Sequence, residues 1–388
     1  MDIKNTYLKY VNAFIITTIA VCGLYVLGVF KSIETHTLDL RFLIRGSQES
    51  KIPLYIVAID DMSLKKIGHL PWPRNVHARL IEKVQKAGVK CIVYNILFDG
   101  VDRYNKRNDT VLSKMIRERQ NVVLPFYYGP TNSLRIEVDS RSSQPVVKRD
   151  PVPILASASN SIGFITAGRV DTDGHMRQAP LHFWGGANEY YALGVLGVTV
   201  AQSKLPKDIL SDSIMQTADF YGYPAKDATI NFRGPLCQVY QTIPFYQLLD
   251  DRFPIELLKD KIILIGMTAG GTYDHYPTAF SRSDPGVYIQ ANIMDNLWAN
   301  DFLRPINRSI TLIFVLLLGV GTGILTTIMK PVHIFVAIPA VLLVYWALAI
   351  FFFSNQQVIL AVVAPTMAII LNLSVVIFLR YRNEIENR

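Results

Sequence analysis

The sequence is short of charge and nearly free of cysteine. Asp, Glu, Lys and Arg make up 18% of its 388 residues, while 50% are hydrophobic; soluble domains are roughly a quarter charged. Three cysteines, Cys22, Cys91 and Cys237, are too few for a disulfide-stapled scaffold. There is no G-x-S-x-G elbow, no H-E-x-x-H zinc motif and no phosphate loop with its lysine, so neither a metal nor a cofactor is expected. The net charge is +8, but no basic stripe with interleaved aromatics accompanies it, which argues against a nucleic-acid partner. Internal repeats, heptad runs and low-complexity tracts are absent from the large segment between the apolar stretches.

Charge is missing altogether from four stretches: 11–30, 310–329, 334–353 and 358–379. A helix rising ~1.5 Å per residue needs about 20 apolar residues to cross ~30 Å of hydrocarbon, so each stretch predicts a transmembrane helix. The first reads as an uncleaved anchor. It exceeds the ~7–15-residue apolar core of a signal peptide, and no A-x-A-like site follows it. Ile19-Ala20-Val21-Cys22 is a poor lipoprotein site, because Val21 is too large. Without a charge inside the spans, a proton pump or ion carrier has no relay. Gly319, Gly321 and Gly323 predict close helix approach, Pro339 and Pro365 predict kinks, and Asn372 is expected to face another helix.

Cations in the short connections set the orientation. Lys4 and Lys9 precede the first span, Lys330 lies between the second and third, and Arg380, Arg382 and Arg388 follow the fourth; the 354–357 turn is uncharged. The expected organisation is a cytoplasmic N-terminus (1–10), a first span (11–30), an extracytoplasmic domain (31–305), spans at 310–329, 334–353 and 358–379, and a cytoplasmic tail (380–388). The domain then faces an oxidising compartment, where Cys91 and Cys237 are able to pair. Cys91 sits in an apolar strand-like run and reads more simply as a free buried thiol.

The predicted fold of the extracytoplasmic domain is α/β with a mostly parallel sheet. Residues 55–59 and 90–95 read as buried strands, with a helix between them from a cap at Asn75 to Ala87 and a stop at Gly88. A helix over 109–120 and a strand over 121–125 continue the alternation, which argues for right-handed parallel crossovers. Residues 129–151 read as a surface loop, 161–166 and 176–183 as strands around an Asp-Gly turn, 190–202 as a helix, 229–232 and 261–266 as strands, and 286–298 as a helix.

Several pieces, taken in order, resemble the second type of CHASE domain, the extracellular sensory domain associated with bacterial cyclases and histidine kinases. They are Val57-Ala-Ile-Asp60 with Ser63; Leu70-Pro-Trp72-Pro-Arg74; Ala87-Gly88; Asp173-Gly174 with Arg177; and Ile263-Leu-Ile-Gly266, continuing through Asp274, Pro277-Thr278, Pro285-Gly286-Val287 and Ala291-Asn292. They cover about residues 36–305, and the family's usual one span before and three after are present too. Asn95 departs from an Asp often found there, which puts a cation role at that position in doubt. The resemblance implies a receptor in the bacterial inner membrane with a periplasmic sensor domain. It also implies a homodimer and a cyclase or kinase output module supplied in cis or by a partner. Trp72, Gly88, Asp173, Arg177, Gly266, Pro285, Gly286 and Asn292 are its structural motif residues.

The chemistry-bearing fragments have plainer readings. Ser63-Leu-Lys65-Lys66 matches the S-x-x-K of penicillin-binding enzymes but lacks their companion motifs, so an extracytoplasmic serine hydrolase is a distant alternative and no enzymatic activity is expected. The segment from Asp171 to Gly174 begins like a calcium loop but lacks the later ligands, and an Asp-Gly turn explains it. His69 and His77 have no metal-ligand spacing, and the 266–272 glycines suit either a tight connection or an anion. Ligands of open parallel sheets bind beyond the carboxyl ends of the strands. Asp60, Arg74, Asn95, Thr268 and Asp274 are therefore the candidate binding residues for an extracytoplasmic ligand, with an Asp60–Arg74 salt bridge as the structural alternative. The other whole-protein alternative is a structural or scaffolding membrane protein.

Overall fold

The computed structural model describes residues 3–130, 146–165, 169–171, 173–271 and 274–386. Most of the expected 129–151 loop, together with Thr166, Thr172 and Thr272 of the segments above, lies outside the described residues; its described ends are not loop but paired strand, Gly129–Pro130 against Val146–Val147. The chain divides into two compact units, Met1–Arg45 with Leu303–Arg388, and Gly46–Phe302.

The Gly46–Phe302 unit is mixed α/β. Its larger sheet has the order β11 (Gln241–Pro244), β1 (Leu54–Ile59), β12 (Ile262–Met267), β2 (Cys91–Tyr94), β3 (Val122–Pro130), β4 (Val146–Arg149), with β5 (Ser161–Ile165) also on β3. Every pairing is parallel except β3 with β4. The strands are near-continuous apolar runs, such as LYIVAI and IILIGM, because both faces are covered. Helices α4 (Arg74–Lys86) and α5 (Arg107–Arg119) send Leu80, Ile81, Val84, Leu112 and Ile116 into one core with Val57, Ile92 and Ile263. On α4 these positions recur at helical spacing. Gly88, at φ +77°, ends that stretch in the left-handed conformation. Helix α7 (Leu193–Gln202) packs on β2 and β5, and α11 (Gly286–Ala299) packs on α7 and β12. Gly266 permits this: a Cβ there would stand 2.5 Å from Val287 Cγ2.

Three readings are corrected. Asn75 does not cap α4; the cap is Pro73, two residues earlier, whose fixed φ of −55° sets the approach. The strand expected over 229–232 lies earlier, as β10 (Tyr223–Thr229), because the Tyr221-Gly222 turn folds it back on β9 (Gln216–Phe220). The helix expected from residue 190 starts at Leu193, since β8 (Asn188–Tyr191) pairs with β7 (Met176–Gly185). With β6 (Arg169–Val170), these strands form a second, antiparallel sheet of order β6-β7-β10-β9, to which the sequence reading gave no separate place.

The other unit holds four helices long and apolar enough to cross a membrane: α1 (Ile3–Val26, apolar from Tyr7), α12 (Arg308–Ile328), α13 (Pro331–Gln356) and α14 (Val363–Glu386). It also holds α2 (Lys31–Arg45). Helices α1, α12 and α14 pack together. Asn372 is fully buried and donates to Thr18 Oγ1 (2.9 Å) and the Gly319 carbonyl (2.8 Å), a polar tie where no water competes. Gly319 faces Thr18 and Gly323 faces the Phe14 ring, whereas Gly321 has no neighbour. Pro339 lies inside α13. Pro365 sits in the first turn of α14 rather than mid-helix, where its missing N–H breaks no bond, so the expected kink is not needed. Helix α14 starts only at Val363 because Val358–Ile359 pair in parallel with Arg304–Pro305. At the opposite end Arg380 donates to the Met329 and Thr327 carbonyls (3.1 and 2.5 Å), closing the end of α12, and Asn383 donates to Tyr10 Oη (2.6 Å).

This packing predicts a selective effect of bulk. Gly323→Leu drives a side chain into the Phe14 ring and is expected to destabilise the helical unit by about 1–3 kcal/mol. Gly321→Leu, with nothing within 4 Å of its Cβ, is expected to be neutral. Thermal loss of helical circular dichroism in detergent measures both.

Candidate functional site

The carboxyl ends of β1, β12 and β2 form one rim. Asp60 follows β1 and caps helix α3 (Asp61–Ile67), its Oδ1 accepting from Ser63 N at 2.8 Å. Thr268 follows β12, and the amides of Thr268 and Ala269 both donate to the Ile59 carbonyl (3.1 and 3.2 Å). Asn95 follows β2; its amide donates to the Ile265 carbonyl (2.7 Å) and its Nδ2 to Asp274 Oδ2 (3.5 Å). The Asp274 carbonyl accepts from the first amide of α11, that of Gly286 (2.8 Å), and any Cβ on Gly286 would strike the Asp274 carboxylate. Glycine is the residue that lets this helix start against that carboxylate. Burial pushes the Asp274 carboxyl above its usual range, opposed by Tyr276, His275 and Asn95. The Tyr288 hydroxyl, 3.0 Å from Thr242 Oγ1, is also pushed up by burial, with Asp284 and Asp60 adding to the shift.

Arg74 has partners of its own. Its ion-pair partner is Asp109 (3.6 Å), its Nη2 donates to the Gly100 carbonyl (2.9 Å), and its guanidinium lies 4.5 Å over the Phe98 ring. Burial lowers its pKa, and Asp109, Asp102 and Asp99 oppose that. The Asp60–Arg74 salt bridge held as the structural alternative is replaced by two separate devices: Asp60 serves as a helix cap, and Arg74 ties the start of α4 to α5 and the loop before it. Asp102 completes the second, accepting from Arg74 N (2.6 Å) and from Tyr104 N and Asn105 N. Asp109, which accepts from Asp102 N (2.9 Å), gave no signal in the sequence beyond its place in a helix.

The motif residues take structural positions. Trp72 is buried, donates to the Gly68 carbonyl (2.6 Å), and packs on Phe245 and His77. His77 is enclosed by Trp72, Tyr94, Phe98 and Phe245, while His69 is exposed. Arg177 grips Asp173 (2.7 Å) and Asp171 (2.8 Å), closing the turn at Gly174, and holds the Asp173 carboxyl down at about 2. Pro285 precedes α11 in the short pairing of Asp284–Pro285 with His275–Tyr276. Ser63 is fully buried, and its Oγ accepts from Tyr246 N (3.3 Å). Cys91 is a buried free thiol and Cys237 an exposed one.

Asn292 belongs to a buried network whose other members the sequence reading passed over. Arg233, 1% exposed, reaches both Asp301 oxygens (2.9 and 2.8 Å) and Asp295 (3.4 Å). Its amide donates to Asn292 Oδ1 (3.1 Å), and Asn231 N donates to Asn296 Oδ1 (2.8 Å). Lys51 adds its amide to Asp295 (3.1 Å) and its Nζ to Asp301 (2.8 Å). Burial works to lower the Arg233 pKa, and the two aspartates outweigh it, so it is raised.

The CHASE2 domain family model matches residues 16–325. The chain belongs to the CHASE2 family. No curated protein and no solved structure matches it. CHASE2 is an extracellular sensory domain of signalling proteins, and the matched stretch takes in the second half of α1, the whole α/β unit and most of α12. In this CHASE2 chain the Asn95–Asp274 contact and the Asp60 cap share the strand-end rim, while the Arg233 network lies at the other end of α11.

Two predictions follow from these buried groups. Arg233→Met leaves two carboxylates without their cation and is expected to cost about 3–5 kcal/mol, read as a fall in the urea midpoint of the full chain in detergent. His77 is neutral in the folded chain, because burial, and then Arg74, push its pKa down to about 3. An unfolded histidine titrates near ~6.5. Between those values only the unfolded state takes up the proton, so stability falls as pH drops, by about 1.4 kcal/mol per unit from this group. His77→Phe is expected to flatten the stability–pH slope by that amount between about pH 6 and 4.

Proposed function

We propose that this chain is the sensory and membrane-anchoring part of a transmembrane signalling receptor. The carrying observation is the family match over residues 16–325, which joins the α/β unit to apolar helices on both sides of it. In this reading the α/β unit is extracytoplasmic and the termini are cytoplasmic in a bacterial inner membrane. The short cationic segments at Lys4, Lys9, Lys330, Arg380 and Arg382 then all lie inside. A ligand binds at the strand-end rim around Asn95, Thr268 and Asp274, and the helices relay the change to a cyclase or kinase module in cis or in trans. The chain itself carries no catalysis; the buried, engaged Ser63 hydroxyl supports this over a serine hydrolase.

The receptor works as a homodimer. Ile370, Ser374, Ile377, Tyr381 and Ile385 are exposed along one side of α14 at spacings of three and four, the pattern of a helix seam. The stripe runs past Arg380, so it is not explained by lipid contact alone.

A phosphatase reporter fused after residue 200, or in the 354–357 turn, is expected to be active; fusions at Lys330 or after Glu386 are expected to be inactive. An active reporter after Glu386 overturns the four-span arrangement. Tyr381→Cys is expected to form a disulfide-linked dimer in membranes treated with oxidant, and the buried control Val376→Cys is expected to form none. A reporter cyclase fused after α14 that ignores every change of external medium would favour a scaffolding role.

A further inference from the structure

The last apolar helix begins against a carboxylate from α2. Glu34 accepts from Val362 N (3.0 and 3.1 Å to its two oxygens) and from Val363 N (3.0 Å). Arg41, two turns further along α2, is fully buried; it donates to Glu34 Oε1 (2.7 Å) and to the Leu360 carbonyl (2.8 Å). Thr37 accepts from Arg41 Nη2 (3.1 Å) and donates to the Glu34 carbonyl (2.8 Å). Tyr345 of α13 donates to the Ala361 carbonyl (2.6 Å). Two side chains of α2 and one of α13 therefore hold the backbone from Leu360 to Val363. Leu360, Val362 and Ala364 are buried around these bonds.

A carboxylate at a helix N-terminus is favoured by the unpaired amides and by the helix dipole. Charge-assisted bonds are stronger than neutral ones, and exclusion of water strengthens them further. Pulling α2 away would leave the Leu360 carbonyl and the Val362 and Val363 amides without partners at once, so the contact gives way as a whole or holds as a whole. Apolar contacts stiffen the grip: Phe42 packs edge-on to Phe353 at 5.0 Å, and the Arg45 guanidinium lies over both rings. Helix α2 runs directly into Gly46, the first residue of the α/β unit.

We propose that the Glu34–Arg41 clamp is a transmission joint. It makes α2 and α14 move as one body, so that a displacement of α2 reaches the far end of α14 at 380–386. This deepens the sensory reading, on which it rests only for the origin of the displacement.

Amide hydrogen exchange on the full chain in lipid nanodiscs tests it. Glu34→Ala is expected to speed exchange at least about tenfold at 362–363, since each tenfold reports ~1.4 kcal/mol of lost protection. It is also expected to speed exchange at 380–386, at the other end of the helix. Glu34→Gln, which keeps a neutral acceptor, is expected to give a smaller change at both places. Thr37→Val, which removes the hydroxyl that meets Arg41 and the Glu34 carboxylate but leaves both charges in place, covers the case in which Glu34→Ala fails to fold, and the same two-site response is expected. A rise confined to 360–366, or no rise at all, overturns the joint. That result would leave the sensory reading standing if a fused cyclase still responded. A two-site response with a silent cyclase would instead preserve the joint and count against the sensory reading.

Discussion

The α/β unit depends on one buried cation. Arg233 stands between Asp295 and Asp301 with almost no solvent contact, and in such a place a guanidinium persists only if its charge is met and its N–H groups are bonded. Meeting those demands draws distant parts of the chain together. The first residues of the unit join through Gln48 and Lys51, the end of α11 through Asn292, Asp295 and Asn296, and the last residues through Asp301. A Cβ on Gly234 would stand 2.7 Å from Ser47 Oγ, so the same region also needs a glycine for close approach. The segments that begin and end the unit are thereby fixed to each other through one charge.

The apolar unit uses polarity sparingly, and three of its polar groups tie one helix to another. Asn372 ties α14 to α1 and α12, Arg380 covers the carbonyl end of α12, and Glu34 with Arg41 covers the amide end of α14. A polar group withdrawn from water without a partner is costly, so each tie fixes a register that apolar packing alone would leave free to slide. Helix α13 shares less of this. Much of its surface, including Phe335, Val336, Leu343 and Val344, is exposed, as expected of a helix that faces lipid.

At the strand-end rim the limits of one-dimensional reasoning are visible. Asn95, Thr268 and Asp274 sit where the rule for open parallel sheets puts a ligand, because strand ends are legible from apolar runs and their bounding polar residues. Which charge pairs with which was not legible. Arg74 lies close in sequence to Asp60, yet its partners come from α5 and the loop before it, whose approach depends on how α4 and α5 pack. The second sheet escaped for a related reason. Strand β7 is buried along most of its length, so it shows no alternation, and antiparallel neighbours are chosen by turns and packing rather than by a local signal.

The sequence by itself determined the features that local physics decides. Four charge-free stretches long enough to cross a bilayer appear as four long apolar helices, since a helix satisfies its own backbone. Apolar runs alternating with amphipathic segments appear as a mostly parallel sheet. An ordered set of short motifs identified the family over most of the chain. Only the tertiary structure decided the partners of buried charges. Arg233 meets Asp295 and Asp301 from more than sixty residues away, and Glu34 meets amides more than three hundred residues along the chain. Hydropathy and periodicity are read within a window of about twenty residues or fewer. A charge removed from water is satisfied by whatever the fold brings within about 3 Å, and nothing in that window records which residue it will be.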